Sequence, residues 1–318
     1  MKTVKLPPDA KAAQVRFGVE IETMIPVGSG VVVGGYHSGH PVRQGYGVDG
    51  QGINAPTFDG SRWRADRDGS IVAEAGFMPC EFVSPILYGD DGIRALIQMV
   101  RFIVAIGGRV NASCGLHVTV GIPSVIGSSD NAEIAAFVEK LVRVANHNAW
   151  AIYAQTDGSR HLNRYASRLP GETGELTARM KAQPAEAAGI ATQCGRGMVN
   201  LLKAFRGEQS AVEFRAFSAT LSEMLVLHHV ATALGVMRRA HETKVFGKFE
   251  KSVKKNTART APDALRRLWR ILGWSDAVDG RECALGLFGS LHGEFFNYRR
   301  DAMQAAERFE TQHPFANL

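Results

Sequence analysis

The chain has 318 residues, 45% of them apolar and 21% charged, with a net charge of +6. That length supports a substantial core, as one large domain or one domain with an appendage, and no apolar run reaches the length of a membrane span. The opening "MKTVKLPPDA" lacks the apolar centre of a signal peptide, so a cytoplasmic location is expected.

The cysteines, Cys80, Cys114, Cys194 and Cys283, are scattered without a CxxC pair. Neither a zinc site nor a disulfide framework is expected, and reduced thiols fit a reducing compartment. The basic excess is mild and concentrates only in "GKFEKSVKKNTARTAPDALRRLWRILGW", so nucleic acid is not an expected partner.

"QVRFGVEIET" alternates Val15, Phe17, Val19 and Ile21 against Gly18, Glu20 and Glu22, the pattern of a strand with one buried face. Residues 26–56 are glycine-rich and read as a long irregular loop inserted in the domain, either a cover over a site or a variable insertion. "SRWRADRDGSIVAE" reads as a hairpin turning at Asp68-Gly69. "CEFVSPIL" is a short strand stopped by Pro85, and "GDDGIRALIQMVRFIVAIGG" an amphipathic helix closed by glycines.

"SCGLHVTVGI" is a further strand, Leu116, Val118 and Val120 alternating with His117, Thr119 and Gly121. "SSDNAEIAAFVEKLVRVANHNAWAIYAQ" reads as one helix capped by Ser or Asp. "GRGMVNLLKAF" and "SAVEFRAFSATL" are strands, and "SEMLVLHHVATALGVMRRAHE" returns to helix. The expected class is α+β, a mainly antiparallel sheet with helices packed on one face. Residues 1–243 form the expected catalytic domain, and 244–318 a basic, mostly helical extension.

Four strands share one oddity. Glu20 and Glu22, then Glu81, then His117, then Glu213 and Arg215 occupy the face opposite the apolar one. For any single strand, solvent exposure accounts for this. If the four strands share a sheet, the carboxylates and the imidazole converge, and such a set suits magnesium or manganese. Cys114 lies three residues from His117 on the opposite face of its strand, so a Cys–His nucleophile is not expected. His161, His228, His229 and His241 read as helix or loop surface and receive no role.

In order, the segments "FGVEIE", "DGSI", "EFVSPIL", "SCGLHVTVG" and "VEFRAFSATL" span about residues 15 to 225. The chain therefore resembles the amidoligases, carboxylate–amine ligases related to glutamine synthetase and glutamate–cysteine ligase. The resemblance implies a curved antiparallel sheet around an ATP and metal site, as in the glutamine synthetase catalytic domain. It implies Glu20, Glu22, Glu81 and Glu213 as metal ligands, His117 on metal or nucleotide phosphate, and Arg215 on the transferred phosphate.

It also places Asp68 and Ser70 at the substrate mouth and matches Asn200 to a recurring polar position. Arg160 and Arg164 match an "R…RY" segment that could bind the substrate carboxylate; a solvated basic turn is the alternative. Two departures stand out. Thr119 replaces a second histidine often present, and Gly197–Val199 replaces an aromatic residue before Asn200.

The implied reaction is ATP-dependent amide or isopeptide formation through an acyl phosphate, with Glu20, Glu213 and Arg215 as catalytic residues. Amino acids, peptides or cell-wall fragments would supply the carboxylate and amine. A phosphotransferase of the same fold and a catalytically silent binding module are the alternatives. The identities of Glu20, Glu22, Glu81, His117, Glu213 and Arg215 argue against the silent module.

Overall fold

The computed structural model describes residues 15–35, 40–42, 63–156, 160–169, 171–195, 197–244, 258–274 and 298–314. The strands are β1 (Phe17–Pro26), β2 (His40–Pro41), β3 (Arg64–Asp66), β4 (Phe77–Val83), β5 (Gly115–Gly121), β6 (Val199–Asn200) and β7 (Ala211–Ser218). They form one seven-stranded sheet in the order β2-β3-β4-β1-β5-β7-β6, every pairing antiparallel. The expected α+β class is the observed one.

The alternation along β1 sets the register. Ala65, Phe82, Ile21, Leu116 and Phe217 stand opposite one another across β3, β4, β1, β5 and β7, and all are fully buried. A one-residue slip would turn this apolar row outward, so burial fixes the pairing. Two helices cover this face. Phe102 of α1 (Gly89–Ala105) meets Phe82 edge-to-face at 6.2 Å. His229 of α7 (Glu223–Glu242) stacks on Phe217 at 4.6 Å.

Between them in sequence lie α2 (Ile122–Ile126), α3 (Asn131–His147), α4 (Ala149–Ala154), α5 (Gly171–Ala182) and α6 (Ala187–Ala191). The carboxylate of Asp130 caps α3 by accepting from the amides of Ala132 and Glu133. Two further helices, α8 (Ala261–Ile271) and α9 (Tyr298–Gln312), pack against α4 and α7.

Several boundaries differ from the sequence reading. β3 pairs with β4 across residues 67–76, so no hairpin turns at Asp68-Gly69. The Asp68 carboxylate instead accepts from the Ser70 amide at 2.6 Å. The next backbone is tied elsewhere, Val72 donating to Ser113 Oγ and accepting from Asn111 Nδ2. β4 begins at Phe77, three residues before the expected start, and tolerates Pro79. Its partner Met24 sends both backbone groups to Arg109 on the other side, so Pro79 lacks no ladder bond.

The helix expected through Gln155 breaks at Asn148, whose side chain donates to the Val144 carbonyl. The strand expected over "GRGMVNLLKAF" shortens to Val199–Asn200. Residues 171–195, to which the pattern assigned no element, hold α5 and α6. Of the glycine-rich loop, only residues 26–35 and 40–42 are described, and its role as a cover lies outside the described residues.

Two of the histidines expected at a surface lie in the core. His228 and His229 are buried, because α7 is covered by the sheet on one side and by α3 and α9 on others, with Gln155 and Trp269 reaching His228. His228 Nδ1 donates to Gln155 Oε1 at 2.6 Å, and its Nε2 accepts from Trp269 Nε1 at 2.9 Å. Burial first, then the charges of His229 and Arg299, hold His228 well below the usual imidazole range.

Trp269→Phe removes the donor at His228 Nε2. A loss of about 1–3 kcal/mol is expected, read as a lower midpoint in thermal unfolding with turnover retained.

Candidate functional site

The sheet face opposite the core carries polar residues in three rows. Asp66, Glu81 and Glu22 stand side by side on β3, β4 and β1. Glu20 stands beside His117. Gly18, Thr119, Glu213 and Asn200 run across β1, β5, β7 and β6. Arg215 follows Glu213 onto the same face by alternation, and a bulge in β7 that sets Arg215 and Ala216 against the single residue His117 returns Phe217 to the core.

His117 is the hub. Its Nδ1 lies 3.2 Å from Glu20 Oε2, 3.4 Å from Glu213 Oε1 and 4.0 Å from Glu81 Oε1, and its Nε2 lies 3.3 Å from Glu22 Oε1. Arg160 Nη2 donates to Nε2 at 3.1 Å. A guanidinium can only donate, so Nε2 accepts and Nδ1 carries the ring proton toward Glu20.

The outer carboxylates are themselves braced. Asn200 Nδ2 donates to Glu213 Oε2 at 2.8 Å, and Arg215 Nη1 to Glu213 Oε1 at 2.7 Å. The Gly115 amide donates to Glu22 Oε2 at 2.5 Å. Arg215 Nε donates to the Tyr165 carbonyl at 3.1 Å.

Glu22, Glu81, His117 and Glu213 are buried, and Glu20 is half-buried. Two groups of donors could each hold a cation, Glu20–His117–Glu213 and Glu22–Glu81–His117, with ligand atoms within 4.8 Å of one another.

Crowding drives the carboxyl groups apart in pKa. Burial pushes Glu81 up, and the charges of Glu20, Glu22, Asp68 and Asp66 add to it, raising it to about 9. For Glu20 burial also pushes upward. The His117 hydrogen bond outweighs that, helped by the charges of Lys203 and Arg215, and holds it at about 2. One carboxyl kept protonated beside one kept ionised is how a cluster of acids limits its own repulsion.

Beside the cluster lies a cleft of about 280 Å³ lined by Glu22, Ser70, Ser113, Arg160 and Arg164, with Asn163, Tyr165 and Arg215. The structure therefore brings together Glu20, Glu22, Glu81, His117, Asn200, Glu213 and Arg215, and sets Ser70 and Arg164 at the cleft. Arg164 lies over the Tyr165 ring at 4.7 Å and donates to its hydroxyl. Asp68 is not among the lining residues; it holds the Ser70 turn, and its charge reaches Glu81. Arg160 is no solvated turn: it is 4% exposed and touches His117.

The sequence reading passed over Asp66. Its register with Glu81 emerges only in the fold, because β3 is three residues long and β4 lies beyond residues 67–76. Ser113, Asn163 and Tyr165 carry no period-2 signal and are brought to the site only by tertiary folding. Thr119 sits between Gly18 and Glu213, where the resemblance would often put a histidine.

Among the described residues no helix is long and apolar enough to cross a membrane. Cys80, Cys114 and Cys194 are free and buried. No curated protein matches the chain. Residues 13–237 match the model of a family described as "Putative amidoligase enzyme", which covers more than half of the chain and all the clustered residues above. The chain belongs to the amidoligase family, enzymes of the ligase type.

Proposed function

We propose that the chain is an ATP-dependent carboxylate–amine ligase that forms an amide or isopeptide bond through an acyl phosphate. One observation carries this reading: carboxylates from three strands, gathered around His117, lie beside a cleft edged by three arginines. The donor set fits magnesium or manganese, since hard divalent cations favour carboxylate oxygens and manganese accepts an imidazole among them. Asp66 Oδ1 supports the fit, being a buried acceptor with no hydrogen-bond donor among the described residues.

Glu20, Glu22, Glu81, His117 and Glu213 would hold the cations. A bound cation supplies charge neutralisation on the phosphate oxygens of ATP. Arg215, braced by Glu213 and the Tyr165 carbonyl, presents its guanidinium to the transferred phosphoryl group. Asn200 keeps Glu213 from rotating. Ser70, Arg160 and Arg164 receive the acid, and a cleft of about 280 Å³ suits a compact substrate group rather than a large one.

In the first step a carboxylate oxygen of the substrate attacks the γ-phosphorus, and the bond to the β–γ bridging oxygen breaks, releasing ADP. In the second the amine lone pair attacks the acyl carbon. Inorganic phosphate leaves with the C–O bonding electrons, and the nitrogen gives up a proton. Amino acids, peptides or cell-wall fragments carry the required groups.

The test is phosphate release from ATP and magnesium with pools of acids and amines. Release that requires one acid and one amine together, with an amide formed in equal amount, is expected. A stable phosphorylated product would instead identify a phosphotransferase, and no ATP consumption with any pool would identify a binding module.

A further inference from the structure

Arg160 is anchored beside the cluster by two hydrogen bonds made at once. Its Nη2 donates to His117 Nε2, and its Nε donates to the Arg215 carbonyl. With the ring proton on Nδ1, Nε2 is the nitrogen whose lone pair a cation shared with Glu22 and Glu81 would need. The guanidinium therefore satisfies the same acceptor and supplies positive charge beside the same carboxylates. Glu22 is the strongest charge acting in Arg160's favour, against the burial that lowers its pKa.

The resting place is built for it. A Cβ at Gly115 would come within 2.1 Å of Arg160 Nη2 and 2.6 Å of its Cζ, so the guanidinium lies flat against β5 only because residue 115 is glycine. Gly115 has an ordinary backbone, without the positive φ that would otherwise call for glycine. Arg160 also edges the cleft with Arg164, Asn163 and Tyr165, so a polar destination lies next to its resting place.

We propose that Arg160 is an internal counter-cation that exchanges with a divalent cation at His117 Nε2 and, once displaced, enters the cleft to pair with the substrate carboxylate. This rests on the cation reading above and goes beyond it, making Arg160 a positioning residue that couples cation loading to acid binding. It also accounts for how a face with this many acids folds before any cation arrives. By reciprocity, the acid tightens the cation as much as the cation tightens the acid.

The experiment is Mn2+ titration followed by electron paramagnetic resonance, on the wild type, Arg160→Gln and Gly115→Ala, each checked for folding by circular dichroism. Both variants should bind Mn2+ roughly tenfold more tightly than the wild type, within the usual range of coupling between sites. Gly115→Ala is the sharper arm, because it keeps every charge and acts only by moving the guanidinium. It also carries the test if Arg160→Gln does not fold.

Tighter binding in Arg160→Gln but not in Gly115→Ala would show a plain charge effect and overturn the exchange. So would unchanged or weaker binding in Gly115→Ala. If none of the three proteins binds Mn2+, the cation reading itself falls, whereas ordinary wild-type binding with an indifferent Gly115→Ala removes only the exchange.

Discussion

Glu20→Gln is expected to fold and to lose roughly 10²–10³-fold of its ATP-dependent turnover, the scale seen when one preorganised electrostatic group is removed from a catalytic site. The substitution keeps the shape of the side chain and deletes its charge. Glu20 is the most exposed of the clustered glutamates, so little packing is lost. Its stability effect follows from its pKa. With the folded value near 2 against 4.5, the carboxylate stabilises the fold above about pH 4.5, and that contribution disappears as pH falls through 2.

At pH 7 the linked contribution is about 3 kcal/mol. Part of it is offset, because Glu20 is the charge that most disfavours ionisation of Glu81. The expected result is a thermal midpoint a few degrees lower, with an unchanged circular dichroism spectrum and turnover nearly gone. A Glu20→Gln protein that consumes ATP at the wild-type rate would remove Glu20 from the cation site.

Glu81→Gln should do the opposite to stability. In chelator-treated protein Glu81 is protonated when folded and ionised when unfolded across the interval between 4.5 and about 9. Its raised value therefore leaves stability intact below pH 4.5 and erodes it as pH climbs toward 9. Glutamine has no proton to lose, so Glu81→Gln escapes that erosion.

The two proteins should be equally stable at pH 4, and the variant should gain by about 3 kcal/mol at pH 7. Denaturant titrations at several pH values would show it. Parallel stability curves across the whole range would mean that Glu81 ionises like an exposed acid. The same substitution should abolish turnover, because a ligand carboxyl must ionise to hold a cation, and Mg2+ binding at pH 7 should release a proton. Calorimetry in buffers of different ionisation enthalpy reads that proton directly.

The period-2 pattern made the core and the polar face of the long strands legible. Phe17, Val19 and Ile21, or Leu116, Val118 and Val120, face helices, and the residues between them can only face the other way. Glu20, Glu22, Glu81, His117 and Glu213 were found by that rule because each sits within a strand long enough to show alternation. Asp66 escaped because β3 is three residues long and its partner lies beyond a loop.

Arg160 was legible as a candidate for the substrate carboxylate, but its contact with His117 was not. Its sequence context shows a basic turn, and only the fold reveals that Gly115 opens a slot for it against His117. His228 and His229 were misread because α7 is enclosed on all sides. Both ring nitrogens of His228 and Nε2 of His229 find partners in Gln155 and Trp269, distant segments that no local pattern announces.

In the proposed reaction the cations that serve phosphoryl transfer gather on this sheet face. Crystals soaked with Mn2+ and a non-hydrolysable ATP analogue test it most directly, through the anomalous signal of manganese. Peaks are expected within coordination distance of carboxylates drawn from Glu20, Glu22, Glu81 and Glu213, with the analogue's γ-phosphate toward Arg215. Manganese bound with the nucleotide anywhere else, and none on this face, would contradict it.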